Sequence, residues 1–170
     1  MSIIFLFTPA LVLSQQIETR ISADTIIVGQ GDILFAEGNV LVQYGKSKIT
    51  AKALKFNQKT KEIKFTEIQD LKDGNSIRLS AEEAIISSDL SAGIIKVANL
   101  IIDDSIKIQS DEVTLKENQI FSVSGISRVT SCEVCEGKEP NWNLSASSAK
   151  RDSENSNIVY KDVTVRVKGL

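Results

Sequence analysis

Short runs of β-forming residues, separated by turn residues, fill almost the whole chain. Ile33-Leu34-Phe35-Ala36, Asn39-Val40-Leu41-Val42-Gln43-Tyr44, Glu62-Ile63-Lys64-Phe65 and Ile106-Lys107-Ile108-Gln109 alternate or cluster such residues, the pattern of strands half-buried on one face. Between them stand Gly29-Gln30-Gly31-Asp32, Glu37-Gly38-Asn39, Tyr44-Gly45, Asp73-Gly74-Asn75, Ser87-Ser88-Asp89, Asp103-Asp104 and Glu117-Asn118. These residue types tolerate positive φ or fold their side chains back onto the backbone, so they mark turns.

A longer period is superimposed on the alternation. An apolar-x-small step recurs as Ile21-Ser22-Ala23, Ile49-Thr50-Ala51, Leu79-Ser80-Ala81, Ile108-Gln109-Ser110 and Leu144-Ser145-Ala146, at intervals of 28, 30, 29 and 36 residues. Self-similarity of this length marks stacked units, none of which buries its apolar face alone. Two stretches, 51–56 and 80–86, are rich in Ala, Lys and Glu and compete as helices. Both lie at the phase of the extended Val113-Thr114-Leu115, so all are assigned to strands. From Ile49 and Ala51 to Leu54 and Phe56 the alternation shifts by one residue, which predicts a bend or bulge just after the small residue. Each unit is then a pair or trio of short strands hinged at that residue.

This alternation sends Phe35, Val40, Val42, Ile49, Ile63, Phe65, Ile77, Leu79, Ile106 and Ile108 inward, and Lys48, Lys64, Arg78 and Lys107 outward. A filled core is the simplest role for such a stripe. The functional alternative is an apolar groove left open along one side of the stack.

The chain has 170 residues, 42% hydrophobic and 25% charged, the usage of an ordinary globular domain rather than a disordered segment. Lys and Arg number 20 against 22 Asp and Glu, a net charge of −2, which supplies no cationic field for a phosphate backbone and sets nucleic acid aside. The N-terminal run Met1 to Ser14 is apolar, uncharged and too short to span a bilayer. With Val12 and Ser14 at −3 and −1 of a cleavage site, residues 1–14 read as a secretory signal, although no basic residue precedes the apolar run. The alternative is a first buried strand.

Catalytic chemistry has little to stand on. The chain contains no histidine, which excludes histidine-based triads and metal sites, and two cysteines cannot alone close a tetrahedral zinc site. No phosphate-binding glycine loop ending in Gly-Lys-Ser/Thr is present. Asp103-Asp104 and Asp111-Glu112 raise the thought of a glycosidase on a β-stack, but they lie at turns and beside charges that read as solvated edges. No cofactor is called for.

The phrase Ile33-Leu34-Phe35-Ala36-Glu37-Gly38-Asn39-Val40-Leu41-Val42, followed by Ile49-Thr50-Ala51 and Leu54-Lys55-Phe56-Asn57, resembles the OstA-like modules of lipopolysaccharide transport. Such modules occur in the LptA bridge proteins and at the N-terminus of the LptD outer-membrane assembly proteins, and the match spans about residues 20–125. The resemblance implies an all-β, stacked-repeat jellyroll or V-shaped "β-taco", open at its ends, whose inner surface receives the acyl chains of lipopolysaccharide in the periplasm. It implies edge-to-edge pairing with another OstA-like module, and makes the ten inward residues above the lipid groove.

The C-terminal part favours the LptD type. Thr130-Ser131-Cys132-Glu133-Val134-Cys135, Pro140-Asn141-Trp142-Asn143-Leu144-Ser145-Ala146 and Tyr160-Lys161-Asp162-Val163-Thr164-Val165-Arg166-Val167 resemble the segment of that family leading toward its outer-membrane barrel. The organisation expected is a signal over 1–14, an OstA-like β-repeat domain over 15–128, and over 129–170 a Cys-x-x-Cys/Trp segment with the last β unit. No barrel follows in these 170 residues, so the expectation is the periplasmic domain alone. Cys132 and Cys135 sit beside Glu133 and Glu136, which raise a thiol pKa and disfavour a thioredoxin-like pair. An exported chain favours a disulfide; in some LptD proteins such cysteines bond to the barrel, and a local Cys132–Cys135 bond is the default here. Trp142 reads as an anchor closing the last unit.

Two functional classes follow. One is a lipid conduit, and the other is a structural β-solenoid that assembles through its ends. A trough open along its length favours the first, and a sealed interior the second.

Overall fold

A computed structural model describes residues 18–73, 77–102, 104–117, 119–131, 140–152 and 157–168. The apolar N-terminal run and both cysteines, with the signal and the disulfide expected there, lie outside the described residues. The fold is all-β. Its strands are β1 (Thr19–Ser22), β2 (Thr25–Val28), β3 (Ile33–Tyr44), β4 (Ser47–Asn57), β5 (Glu62–Asp73), β6 (Ile77–Ser87), β7 (Gly93–Ile102), β8 (Ile106–Lys116), β9 (Gln119–Ser131), β10 (Trp142–Asp152), β11 (Asn157–Lys161) and β12 (Thr164–Val167). All belong to one antiparallel sheet in which β3 to β10 pair in sequence order. The two stretches with helical composition are β4 and β6, because each is paired on both sides. Cross-strand pairing overrides local propensity there.

A single sheet with one apolar face has no second layer to bury it against, so it must fold on itself. The crease where it does so runs straight across the strands. It passes between the pairs Ala51–Ile68 and Ala53–Thr66, Ile68–Ala81 and Thr66–Glu83, Ala81–Ala98 and Glu83–Lys96, Ala98–Ser110 and Lys96–Glu112, and Ser110–Ile126 and Glu112–Ser124. The residues on the crease line are therefore Lys52, Glu67, Glu82, Val97, Asp111 and Gly125. Glu67, Val97 and Gly125 have φ of 50°, 51° and 58°, a left-handed step that reverses which side of the strand faces inward. On β3 the crease takes two residues, Gly38 and Asn39, opposite Lys52, with φ of 74° and 45°; this is a bulge.

The same line explains the strand breaks at both ends. β1 pairs with the second half of β3 and β2 with the first half, so they are one strand interrupted at Ala23-Asp24 on the crease. β11 and β12 likewise pair with the two halves of β10, interrupted at Asp162, whose φ is 53°. Polar contacts run along the outside of the fold line. Asn39 Nδ2 donates to Asp24 Oδ2 at 2.8 Å, Lys52 Nζ meets Glu67 Oε1 at 2.8 Å, and Ser147 Oγ donates to Asp162 Oδ2 at 2.8 Å.

The recurring small residue is now accounted for. Ala51, Ala81, Ser110 and Ala146 are buried immediately inside the crease, flanking in the same row the buried Ile68 of β5 and Ile126 of β9, for which the small side chains leave room. Away from the crease the arms separate, and Ile49, Ile63, Phe65, Ile86, Ile95 and Leu100 fill the space between them. Trp142 packs partly buried against the end of this core, and Thr130, wholly buried, donates its hydroxyl to the Trp142 carbonyl at 2.9 Å.

Candidate functional site

The folded sheet defines two arms. The first holds β1, β12 and the halves of β3 to β10 on the side of Tyr44, Ser47, Asp73, Ile77, Ile102 and Ile106; the second holds β2, β11 and the halves on the side of Asn57, Glu62, Ser87, Gly93, Lys116 and Gln119. Between the arms, toward their free ends, lies an apolar cleft. Ser47, Ile49, Leu71, Ile77 and Leu79 line it from the first arm, and Ile86, Leu90, Ile95, Leu115 and Ile120 from the second. The void it encloses is about 50 Å³, room for a water or two at about 30 Å³ each but not for an acyl chain. The arms are closed on one another.

Seven of the ten residues expected to face inward, Val40, Val42, Ile49, Ile63, Phe65, Leu79 and Ile108, are buried in the shared core. Ile77 is half-buried on the cleft wall. Two expectations are corrected. Phe35 is 41% exposed and lies on the outer face with the Lys55 ammonium 5.6 Å from its ring centre; the inward residues there are Leu34 and Ala36. The bulge at Gly38-Asn39 takes two residues at the crease where β4 takes one, so Leu34, Ala36, Val40 and Val42 keep a single parity and Phe35 takes the other, facing outward. Ile106 shares the parity of Ile108 but is the first residue of β8, at the rim, and is 37% exposed. Lys48, Lys64 and Arg78 are exposed as expected, whereas Lys107 is half-buried opposite Ile101.

The cleft residues of the second arm were missed because a one-residue crease inverts the inward parity, as it does in β4, β6 and β8. A signal for them is present in the spacing i, i+2, i+5, i+7. It reads Ile49, Ala51, Leu54, Phe56 in β4, then Leu79, Ala81, Ala84, Ile86 in β6 and Ile108, Ser110, Val113, Leu115 in β8. Extending the first two members of each series across the small residue locates Ile86 and Leu115.

The outer faces are polar and solvated. Lys64 and Glu83 pair at 2.9 Å, and this hydrogen bond from Lys64 holds the Glu83 carboxyl below its ordinary range. Arg78 pairs with Asp104, so Asp104 is an ion-paired surface residue. Asp111 lies on the crease and Glu112 beyond it. Among the described residues no three acidic, histidine or cysteine side chains gather as metal ligands, and no helix is long and apolar enough to cross a membrane.

Most of the exposed apolar side chains lie at the two ends of the stack. They include Ile27 and Val28 of β2, 60% and 69% exposed, and Ile158, Val159, Val165 and Val167 of β11 and β12. Among the described residues each end is a sheet edge with no neighbouring strand, the kind that templates pairing with another chain.

The described residues define a class: a creased, single-sheet β protein with an apolar interior and two open edges. No family model matches the chain, and no curated protein matches it in sequence. Among solved structures it aligns with LptH, the LptA-homologous periplasmic component of the lipopolysaccharide transport device of Pseudomonas aeruginosa. That alignment covers 89% of this chain and 95% of LptH at 9% identity, with a TM-score of 0.34, a general likeness only.

Proposed function

We propose that this chain is a non-catalytic periplasmic module of lipopolysaccharide transport, which takes acyl chains between its arms and passes them along a row of similar modules joined edge to edge. The observation that carries this is the apolar inner face, continuous across every bent strand from β3 to β10 and ending, among the described residues, at unpaired edges. Each methylene moved from water into such a cleft contributes about 0.8 kcal/mol, so several chains are held without specific polar contacts while sugars and phosphates stay in water. The segment from Cys132 to Val167 supports the finer reading, a module of the kind that precedes an outer-membrane barrel. The resemblance rests on its Cys-x-x-Cys, Pro-x-Trp and final β unit.

The test is a photo-crosslinking residue at Leu79, on the cleft wall, and at Arg78, on the outer face of the same strand. Capture of lipopolysaccharide at 79 and not at 78 is the expected result. Equal capture on both faces, or none in a transport-competent assembly, leaves the second reading, a structural module that assembles by its edges. The closed interior favours that alternative.

A further inference from the structure

Nine of the ten residues lining the cleft belong to strands held on both sides by hydrogen-bonded neighbours. The tenth is Leu90, in the turn between β6 and β7. Its side chain is buried to 8% exposure although it sits at a loop tip, and its φ of 59° is a conformation that costs a branched residue strain. An apolar residue that is both strained and buried at a loop tip is held there by its surroundings.

Those surroundings are specific. Leu90 N donates to Ser87 O at 2.8 Å. Asp89 Oδ1 accepts from Ser87 Oγ at 2.6 Å, Ser91 Oγ at 2.8 Å and Ser91 N at 3.0 Å. The turn is anchored within its own arm by Ser88 N donating to Lys61 O at 2.7 Å. It is also tied to the opposite arm, because Thr19 Oγ1 of β1 donates to Ser88 O at 2.8 Å and β1 lies beside Tyr44 in the first arm. One turn therefore fills the cleft with Leu90 and spans its mouth through Ser88.

We propose that the Ser87–Gly93 turn is the gate of the cleft. Leu90 occupies the site that an apolar chain takes when bound, and the Thr19–Ser88 hydrogen bond latches the arms in the closed state. Loading requires the turn to swing outward and the arms to part at the crease, while the other nine lining residues stay fixed within their own arms by strand pairing. This rests on the acyl-binding reading above and adds its control.

The experiment titrates the full chain with the apolar fluorescent dye N-phenylnaphthylamine, comparing wild type with Leu90→Gly and Thr19→Val, with circular dichroism to verify folding. Leu90→Gly removes the occupant and binds dye about tenfold or more tightly, given the transfer free energy of a buried leucine. Thr19→Val, outside the cleft, changes only the latch; it binds about two- to tenfold more tightly, the range of one net hydrogen bond. Wild-type and variant affinities that coincide overturn the gate and leave the cleft as a binding site. No binding by any of the three overturns the acyl-binding reading and the gate together.

Discussion

Gly125→Ala tests whether the crease is what closes the sheet. Gly125 has a φ of 58° at the point where β9 crosses the fold line, opposite Asp111. The left-handed backbone alone costs a residue with a side chain about 1–2 kcal/mol. The new methyl carbon would also fall 2.5 Å from Asp111 Cγ and 2.8 Å from its Cβ. Rotating the Asp111 side chain relieves the first contact but not the second, since Cβ moves only with the backbone, and a shift of that kind adds about 1 kcal/mol. The expected total is a loss of about 2–3 kcal/mol, seen in urea unfolding as a midpoint lowered by about 1 M for a slope of about 2 kcal/mol/M. Repeating the substitution in an Asp111→Gly background removes the contact and leaves the backbone share, so the loss there falls to about 1–2 kcal/mol. A Gly125→Ala protein within about 0.5 kcal/mol of wild type would refute the argument. Equal losses in both backgrounds would refute its Asp111 part.

Ser110 is the one hydroxyl among the buried small residues of β4, β6, β8 and β10 inside the crease, and its Oγ has no hydrogen-bond partner. Ser110→Ala is therefore expected to raise stability by about 1 kcal/mol, and a drop in unfolding midpoint would count against it. The Asp89 carboxyl is held below its ordinary value of 3.8, first by the Ser87 hydroxyl, then by Ser91. A depressed carboxyl stabilises the fold above its unfolded pKa and loses that contribution as pH falls through the folded one. The Ser87–Gly93 turn should thus hold at pH 4 and above and loosen only at lower pH; a carboxyl NMR titration of Asp89 with its midpoint at or above 3.8 would contradict this. Val165→Lys, on an exposed edge, should reduce concentration-dependent self-association in sedimentation, and an unchanged association would exclude the C-terminal edge as its site.

Alternation and period were enough, from the sequence, to make the protein an all-β stack and to choose strands over helices at β4 and β6. The one-residue shift between Ala51 and Leu54 even placed the bend. Those properties are legible because strand parity is local: residues two apart share a face whatever surrounds them. What lies opposite is not local. Whether Phe35 or Ala36 faces inward depends on whether the crease takes one residue of β3 or two, and Ile106 keeps the inward parity yet stands at the rim. Nor does any pattern in the turn itself reveal that Leu90 closes the cleft or that Thr19 latches it 69 residues away. Such contacts arise only when one sheet folds back on itself, because the fold line joins segments remote in sequence and sets the space each side chain may fill.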